Sequence, residues 1–145
     1  MTGVQTCALP IFLATFGAVQ PRETYAADAL RAASAVIAAL DARQEEFTAL
    51  GWPGRFATGV AVASGDVTVG IVGSQGRYEF TVIGHAVNLA AKLESANKTQ
   101  RTRALTDAST HSRAEAQGYV NPDILRRNAE GVAGLAAPVD LVVLA

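Results

Sequence analysis

Apolar positions along this chain recur with two spacings, and the changes between them mark its elements. Between residues 24 and 50, Ala26, Leu30, Ala33, Ile37, Leu40 and Phe47 keep helical spacing, while Asp28, Arg31, Asp41, Arg43, Glu45 and Glu46 take other faces. That stripe predicts one long amphipathic helix. Pro21 opens the segment, and Gly51 with Pro53 stops it. Residues 12–16 are a short apolar run closed by Gly17, which predicts a strand. Residues 55–63 and 67–73 flank Ser64-Gly65-Asp66 and predict a hairpin. Gly59 and Gly70 lie inside these runs, where a glycine marks either a close approach or a local bend. A polar turn at 74–77 leads into a strand at 78–83, and Gly84 and His85 open a helix to Asn97. A polar loop at 97–102 precedes a short strand at 103–106. Asp107 can cap a short helix through Gln117. Residues 118–137 have little periodicity, and 138–144 alternate weakly as a closing strand.

Helices interspersed with hairpin-connected strands predict an α+β fold, with helices on a mostly antiparallel sheet. At 145 residues the chain holds one domain with a core. Half of it is hydrophobic and 17% is charged, as in a folded protein rather than a disordered one. A net charge of -1 gives no basic field for nucleic acid and no polybasic patch for a membrane. No apolar run approaches the roughly 20 residues that cross a bilayer. Cys7 is the only cysteine, so no disulfide forms within the chain, which fits a reducing compartment.

Residues 1–11 lack the basic and apolar regions of a signal peptide. They resemble instead the translation of a common short-read sequencing adapter, read from a GTG start. The expectation is that 1–11 are artefactual and that the natural protein extends upstream of Phe12. On that expectation Cys7 belongs to the artefactual segment, and the natural part has no cysteine.

The most informative stretch is Tyr78-Glu79-Phe80-Thr81-Val82-Ile83-Gly84-His85-Ala86-Val87-Asn88-Leu89-Ala90-Ala91-Lys92-Leu93-Glu94. A strand runs into a glycine, and a helix leaves it with Asn88 and Lys92 four apart on one face. This stretch resembles the late motif of class III adenylate/guanylate cyclase catalytic domains. The likeness extends to Leu13-Ala14-Thr15-Phe16-Gly17, to the run from Gly59 to Gly70, and to Gly134-Leu135 followed by Pro138-Val139-Asp140-Leu141. It covers 12–145 as a partial catalytic domain. The resemblance implies a ferredoxin-like βαββαβ core, here lacking its first strand and the start of the metal-site hairpin. It also implies head-to-tail homodimers with sites at the interface, and cyclisation of ATP or GTP to the 3′,5′-cyclic monophosphate plus pyrophosphate.

By the same resemblance, Thr81 is similar to the purine-selecting position, where threonine accompanies adenine, and Asn88 to the asparagine that orients the ribose. Lys92 stands where the family has a phosphate-binding arginine; it keeps the charge but loses the planar fork. Arg77 lies near the family's triphosphate-contacting basic residue. Taken alone, Thr81 is ordinary strand composition and Lys92 a solvated helix residue. Asn88 is intrinsically unfavourable in mid-helix. His85 departs from the family's aspartate, which would cap the helix better. Neither His85 nor the distant His111 makes a metal site or a general base alone.

The resemblance also implies two metal-binding aspartates and a purine-contacting lysine before the Leu-Ala-Thr-Phe-Gly stretch, and none stands there. The expectation is therefore no metal ligand in this chain, with Mg2+ or Mn2+ bound only by a full-length parent. The chain is expected to be an adenylate cyclase fragment, inactive alone, that takes ATP rather than nucleic acid as its partner. The alternatives are a non-catalytic cyclase-like regulatory or dimerisation module and a guanylate cyclase. The implied location is cytoplasmic, with membrane anchoring of the parent left open.

Overall fold

The computed structural model describes residues 12–74 and 76–145; residues 1–11, with Cys7, and the side chain of Arg77 lie outside it. The long stripe forms a helix, but in two pieces. α1 (Tyr25–Ala42) ends where Arg43 leaves helical geometry, with φ -108° and ψ 15°, and α2 (Gln44–Ala49) follows. The break lets Gln44 brace the returning chain. Its Nε2 donates to the Leu40 and Phe56 carbonyls, and its Oε1 accepts from the Phe56 N–H. Phe47 then stacks on Phe56 rather than extending the α1 stripe. At the other end, the N–H groups of Ala26 and Ala27 donate to Gln117 Oε1, at 2.8 and 3.1 Å.

The remaining elements are β1 (Val60–Val62), β2 (Thr68–Ser74), β3 (Arg77–Ile83), α3 (His85–Gln100), β4 (Ala104–Asp107), α4 (Ala108–Ala116), β5 (Leu125–Glu130) and β6 (Val139–Val143). The main sheet has the order β1-β4-β6-β5, with β1 parallel to β4 and the other pairs antiparallel. This is the expected α+β architecture. The hairpin, however, is not the expected one. β1 pairs with β4, while β2 pairs along its whole length with β3, from Thr68↔Ile83 to Ser74↔Arg77. The 64–66 turn does not fold the chain back because Ser64 is tied elsewhere: its N–H and Oγ both meet Thr110 Oγ1, at 2.9 and 3.0 Å.

Three further expectations are corrected. Residues 12–16 form no strand: Phe12 and Leu13 are 90% and 56% exposed, and no sheet partner pairs with them among the described residues. β-propensity without a partner's hydrogen bonds is not enough. The loop expected at 97–102 is partly helix, because α3 runs to Gln100. Buried Asn97 holds this turn, donating to the Val60 carbonyl and accepting from Thr102 Oγ1. Finally, β5 lies in the stretch that lacked periodicity. It is a polar edge strand with a register shift between Arg127 and Glu130, where Ala129 has φ +52° and donates to Asp140 Oδ1.

Alternation along the central strands divides the core between two faces. Val60, Val62, Ala104, Val142 and Leu144 join α1 and α4 residues such as Ala26, Leu30, Ile37 and Ala114. Ala61, Leu105, Leu141 and Val143 join Leu93 and Ala96 of α3. The α3 face also takes Val132 and Leu135, from the turn between β5 and β6.

Candidate nucleotide site

Gly84 is the pivot between β3 and α3. A Cβ added there would lie 2.8 Å from the Asp66 carbonyl oxygen and 3.2 Å from Val67 Cα, both backbone atoms. Only glycine lets the start of α3 sit against the segment entering β2. Gly84 is also the N-cap residue of α3, without a side-chain cap bond, so His85 is the first helical residue and exposed. The expected cost of histidine in a capping position is therefore corrected, because position 85 does not cap.

Thr81 is half-buried on β3, directly opposite Gly70 of β2. Opposed residues of an antiparallel pair point to the same face. A Cβ on Gly70 would meet nothing within 4 Å, so the space beside Thr81 stays open. The close-approach reading thus holds at Gly59, where a Cβ would come 2.9 Å from Glu94 Oε1, and not at Gly70. The threonine hydroxyl can donate to or accept from a base edge.

On α3 the buried face is Ala86, Leu93, Ala96 and Asn97. Asn88 is exposed and Lys92, one turn on, is half-buried. The Lys92 ammonium donates to the backbone carbonyl of Gly134, in the turn between β5 and β6. Gly134 has φ +82°, and a Cβ there would lie 3.3 Å from Lys92 Cε. Sequence reasoning missed Gly134 as a partner of Lys92; the only available signal was that both lie in stretches resembling the same family. Arg77 opens β3 opposite Ser74, at the far end of the hairpin from Gly84.

The described residues contain no group of three or more His, Cys, Asp or Glu side chains able to hold a metal ion. They do not fit the two-ion site that the resemblance implies. No helix among the described residues is long and apolar enough to cross a membrane.

Comparison with known proteins agrees with this architecture. No family model matches the chain. An uncharacterized protein of Mycobacterium tuberculosis (strain ATCC 25618 / H37Rv) is 34% identical over 106 residues, which is 72% of this chain and 18% of that protein. A second from the same strain is 44% identical over 52 residues, 36% of this chain and 9% of its own length. The chain thus spans less than a fifth of the curated relatives it matches. Among solved structures, the adenylyl cyclase CyaB from P. aeruginosa is 25% identical with a TM-score of 0.63, over 86% of this chain and 60% of that one. The guanylyl cyclase Cya2 is 24% identical with a TM-score of 0.66, over 88% and 61%. A bacterial light-regulated adenylyl cyclase is 19% identical with a TM-score of 0.64, over 83% and 34%. The chain has the mixed α+β fold of adenylyl and guanylyl cyclase domains.

Proposed function

We propose that this chain supplies the nucleotide-recognising half of a class III adenylate cyclase site. The observation that carries the reading is the β3–Gly84–α3 unit. Thr81 stands beside an open space, and Asn88 and Lys92 follow one turn apart on the helix that leaves Gly84. In the proposed reaction the ribose 3′-hydroxyl gives up its proton to solvent as its oxygen attacks the α-phosphorus, the bond from that phosphorus to the bridging oxygen breaks, and pyrophosphate leaves. Negative charge builds on the phosphate oxygens in the transition state, where a positioned cation is most effective. Lys92 would meet that charge, Asn88 would orient the ribose, and Thr81 would read the purine edge. The solved neighbours include both adenylyl and guanylyl cyclases, so the choice of ATP over GTP rests on Thr81.

The metal-binding half would come from a partner in a head-to-tail dimer. The β2–β3 hairpin supports such an assembly, since Ile71, Val72, Tyr78, Phe80 and Ile83 are each more than half exposed. The test is complementation. This chain, purified alone with ATP and Mg2+ or Mn2+, is expected to make no cyclic AMP. Mixed with a cyclase domain that keeps its aspartates but has alanine at its asparagine and phosphate-binding arginine, it should restore activity. Cyclic AMP from this chain alone would overturn the half-site reading. Failure to restore activity despite a stable heterodimer would favour the non-catalytic module.

A further inference from the structure

Lys92 is the site's cation, yet lysine is a poor replacement for arginine where orientation matters. Its ammonium is a point charge on a flexible four-carbon stem, with no planar fork to set direction. The structure holds a compensating feature outside the β3–Gly84–α3 unit. Val132 and Leu135 pack against the α3 face beside Leu93, and the Leu135 N–H closes a turn onto the Val132 carbonyl at 3.0 Å. Gly134 lies between these two anchors, and its carbonyl accepts from the Lys92 ammonium.

We infer that the Gly134 carbonyl is the positioning group for Lys92, holding the ammonium ready for phosphate oxygens while leaving its charge uncompensated. The inference rests on the reading above that Lys92 meets a nucleotide phosphate. Two further observations carry it. First, the partner is neutral. Among the described residues no carboxylate lies within ion-pair distance of Lys92, whereas Arg55 and Arg103 share the carboxylate of Asp41. An ammonium has three N–H donors, so one bond to a carbonyl leaves two for an incoming anion. Second, the position favours glycine. Its φ of +82° is strained for any side chain, and a Cβ would press on the lysine stem, at 3.3 Å from Lys92 Cε, with Nζ at 3.7 Å and Cδ at 3.8 Å.

The chain has two lysines, Lys92 and exposed Lys98, and this makes the test direct. Labelling with [15N]lysine gives two ammonium resonances, assigned with Lys98→Arg. In the unliganded protein the Lys92 ammonium hydrogens should exchange with water about threefold or more slowly than those of Lys98. Equal rates overturn the tether without touching the functional reading. Added inorganic tripolyphosphate should shift the Lys92 resonance and leave Lys98 in place. A slow Lys92 that tripolyphosphate does not move overturns the phosphate reading, and the positioning role with it. Gly134→Ala should speed Lys92 exchange and weaken tripolyphosphate binding about threefold to tenfold, the range for the net worth of one ordinary hydrogen bond. With Lys92→Arg in place, the same Gly134 change should have little effect, because the guanidinium is already preorganised. Equal weakening in both backgrounds would mark Gly134 as merely structural and overturn the proposal. Circular dichroism checks that the variants fold, and the wild-type exchange comparison decides the tether without them.

Discussion

The two faces of the main sheet are built from alternate residues of the same three strands, and they carry different burdens. On one face, α1 and α4 pack closely through small residues: Ala26, Ala27, Ala33 and Ala114 are buried, with Ala104 of β4, around Leu30 and Ile37. None of the proposed nucleotide-binding residues lies there. On the other face a single helix, α3, packs through Leu93 and Ala96, and the turn bearing Val132 and Leu135 completes the cluster. Here Asn88 and Lys92 ride on the same helix that fills the core. The first face can therefore lose stability without moving the site, while the second cannot.

Two fully buried leucines test this division. Leu30→Ala and Leu93→Ala should each lower unfolding free energy by about 2–5 kcal/mol, measured by denaturant titration, since each leaves a core cavity. Only Leu93→Ala should also release the Val132–Leu135 turn and speed exchange at the Lys92 ammonium. If Leu30→Ala speeds that exchange equally below its unfolding transition, the faces are not independent.

The next largest effect is expected at the pivot. Gly84→Ala forces a Cβ against the Asp66 carbonyl and the Val67 backbone, neither of which can rotate away. A loss of about 1–3 kcal/mol is expected, as for overpacking in a core. Gly70→Ala, a glycine in the paired strand with open space around it, should change stability by less than about 1 kcal/mol. Its effect should fall on nucleotide binding beside Thr81. Comparable losses of stability at the two glycines would remove the distinction between pivot and open face.

Those glycines also show what the sequence could and could not disclose. The β3–Gly84–α3 unit was legible because helical period, strand composition and a breaker all agree within one short stretch, and a local pattern suffices to define a local unit. The partner of β1 was not legible. Nothing in the 60–62 run distinguishes pairing with its neighbour β2 from parallel pairing with β4; the decision lies in Ser64, tied to Thr110 across the fold. Likewise β5 hides behind Arg126, Arg127 and Asn128, because an edge strand exposed along most of its length has little apolar period to read. Thr81, Asn88 and Lys92 were all placed on their elements from sequence. Their roles came from the resemblance, while the Gly134 carbonyl, being backbone, leaves no side-chain signature.

A smaller effect is expected at the cap of α4. Asp107 accepts from the Thr110 N–H at 3.1 Å and from Thr110 Oγ1 at 2.6 Å, as its place before the helix suggested. Asp107→Ala should cost about 0.5–2 kcal/mol. Because Thr110 also holds Ser64, the loss should appear at the end of β1 as faster amide exchange, without affecting the Lys92 ammonium. Asp107→Asn, which can still accept from the Thr110 N–H, should recover part of the stability.

The smallest effect concerns the other tethered cation. Arg103 donates to both oxygens of Asp41, at 2.8 and 2.7 Å, and Arg55 pairs with the same carboxylate. The Arg103 hydrogen bond is the main cause that holds the Asp41 carboxyl below its ordinary value of 3.8; partial burial opposes it but does not prevail. A folded-state value below the unfolded one stabilises the fold above the unfolded value, and that contribution disappears as pH falls through the folded value. Wild type and Asp41→Asn should therefore differ by a constant, small amount at neutral pH, and converge as denaturation is followed below 3.8. Salt at 1 M, with a screening length of about 3 Å, should shrink the difference at neutral pH. The Lys92 tether should behave otherwise across the same acid range, because its acceptor is a neutral carbonyl that does not titrate. Arg103 gives its charge to Asp41 and so helps hold α1 against the start of β4, while Lys92, on the proposed reading, keeps its charge for a ligand. Loss of the Lys92 exchange protection in parallel with protonation of Asp41 would contradict that separation.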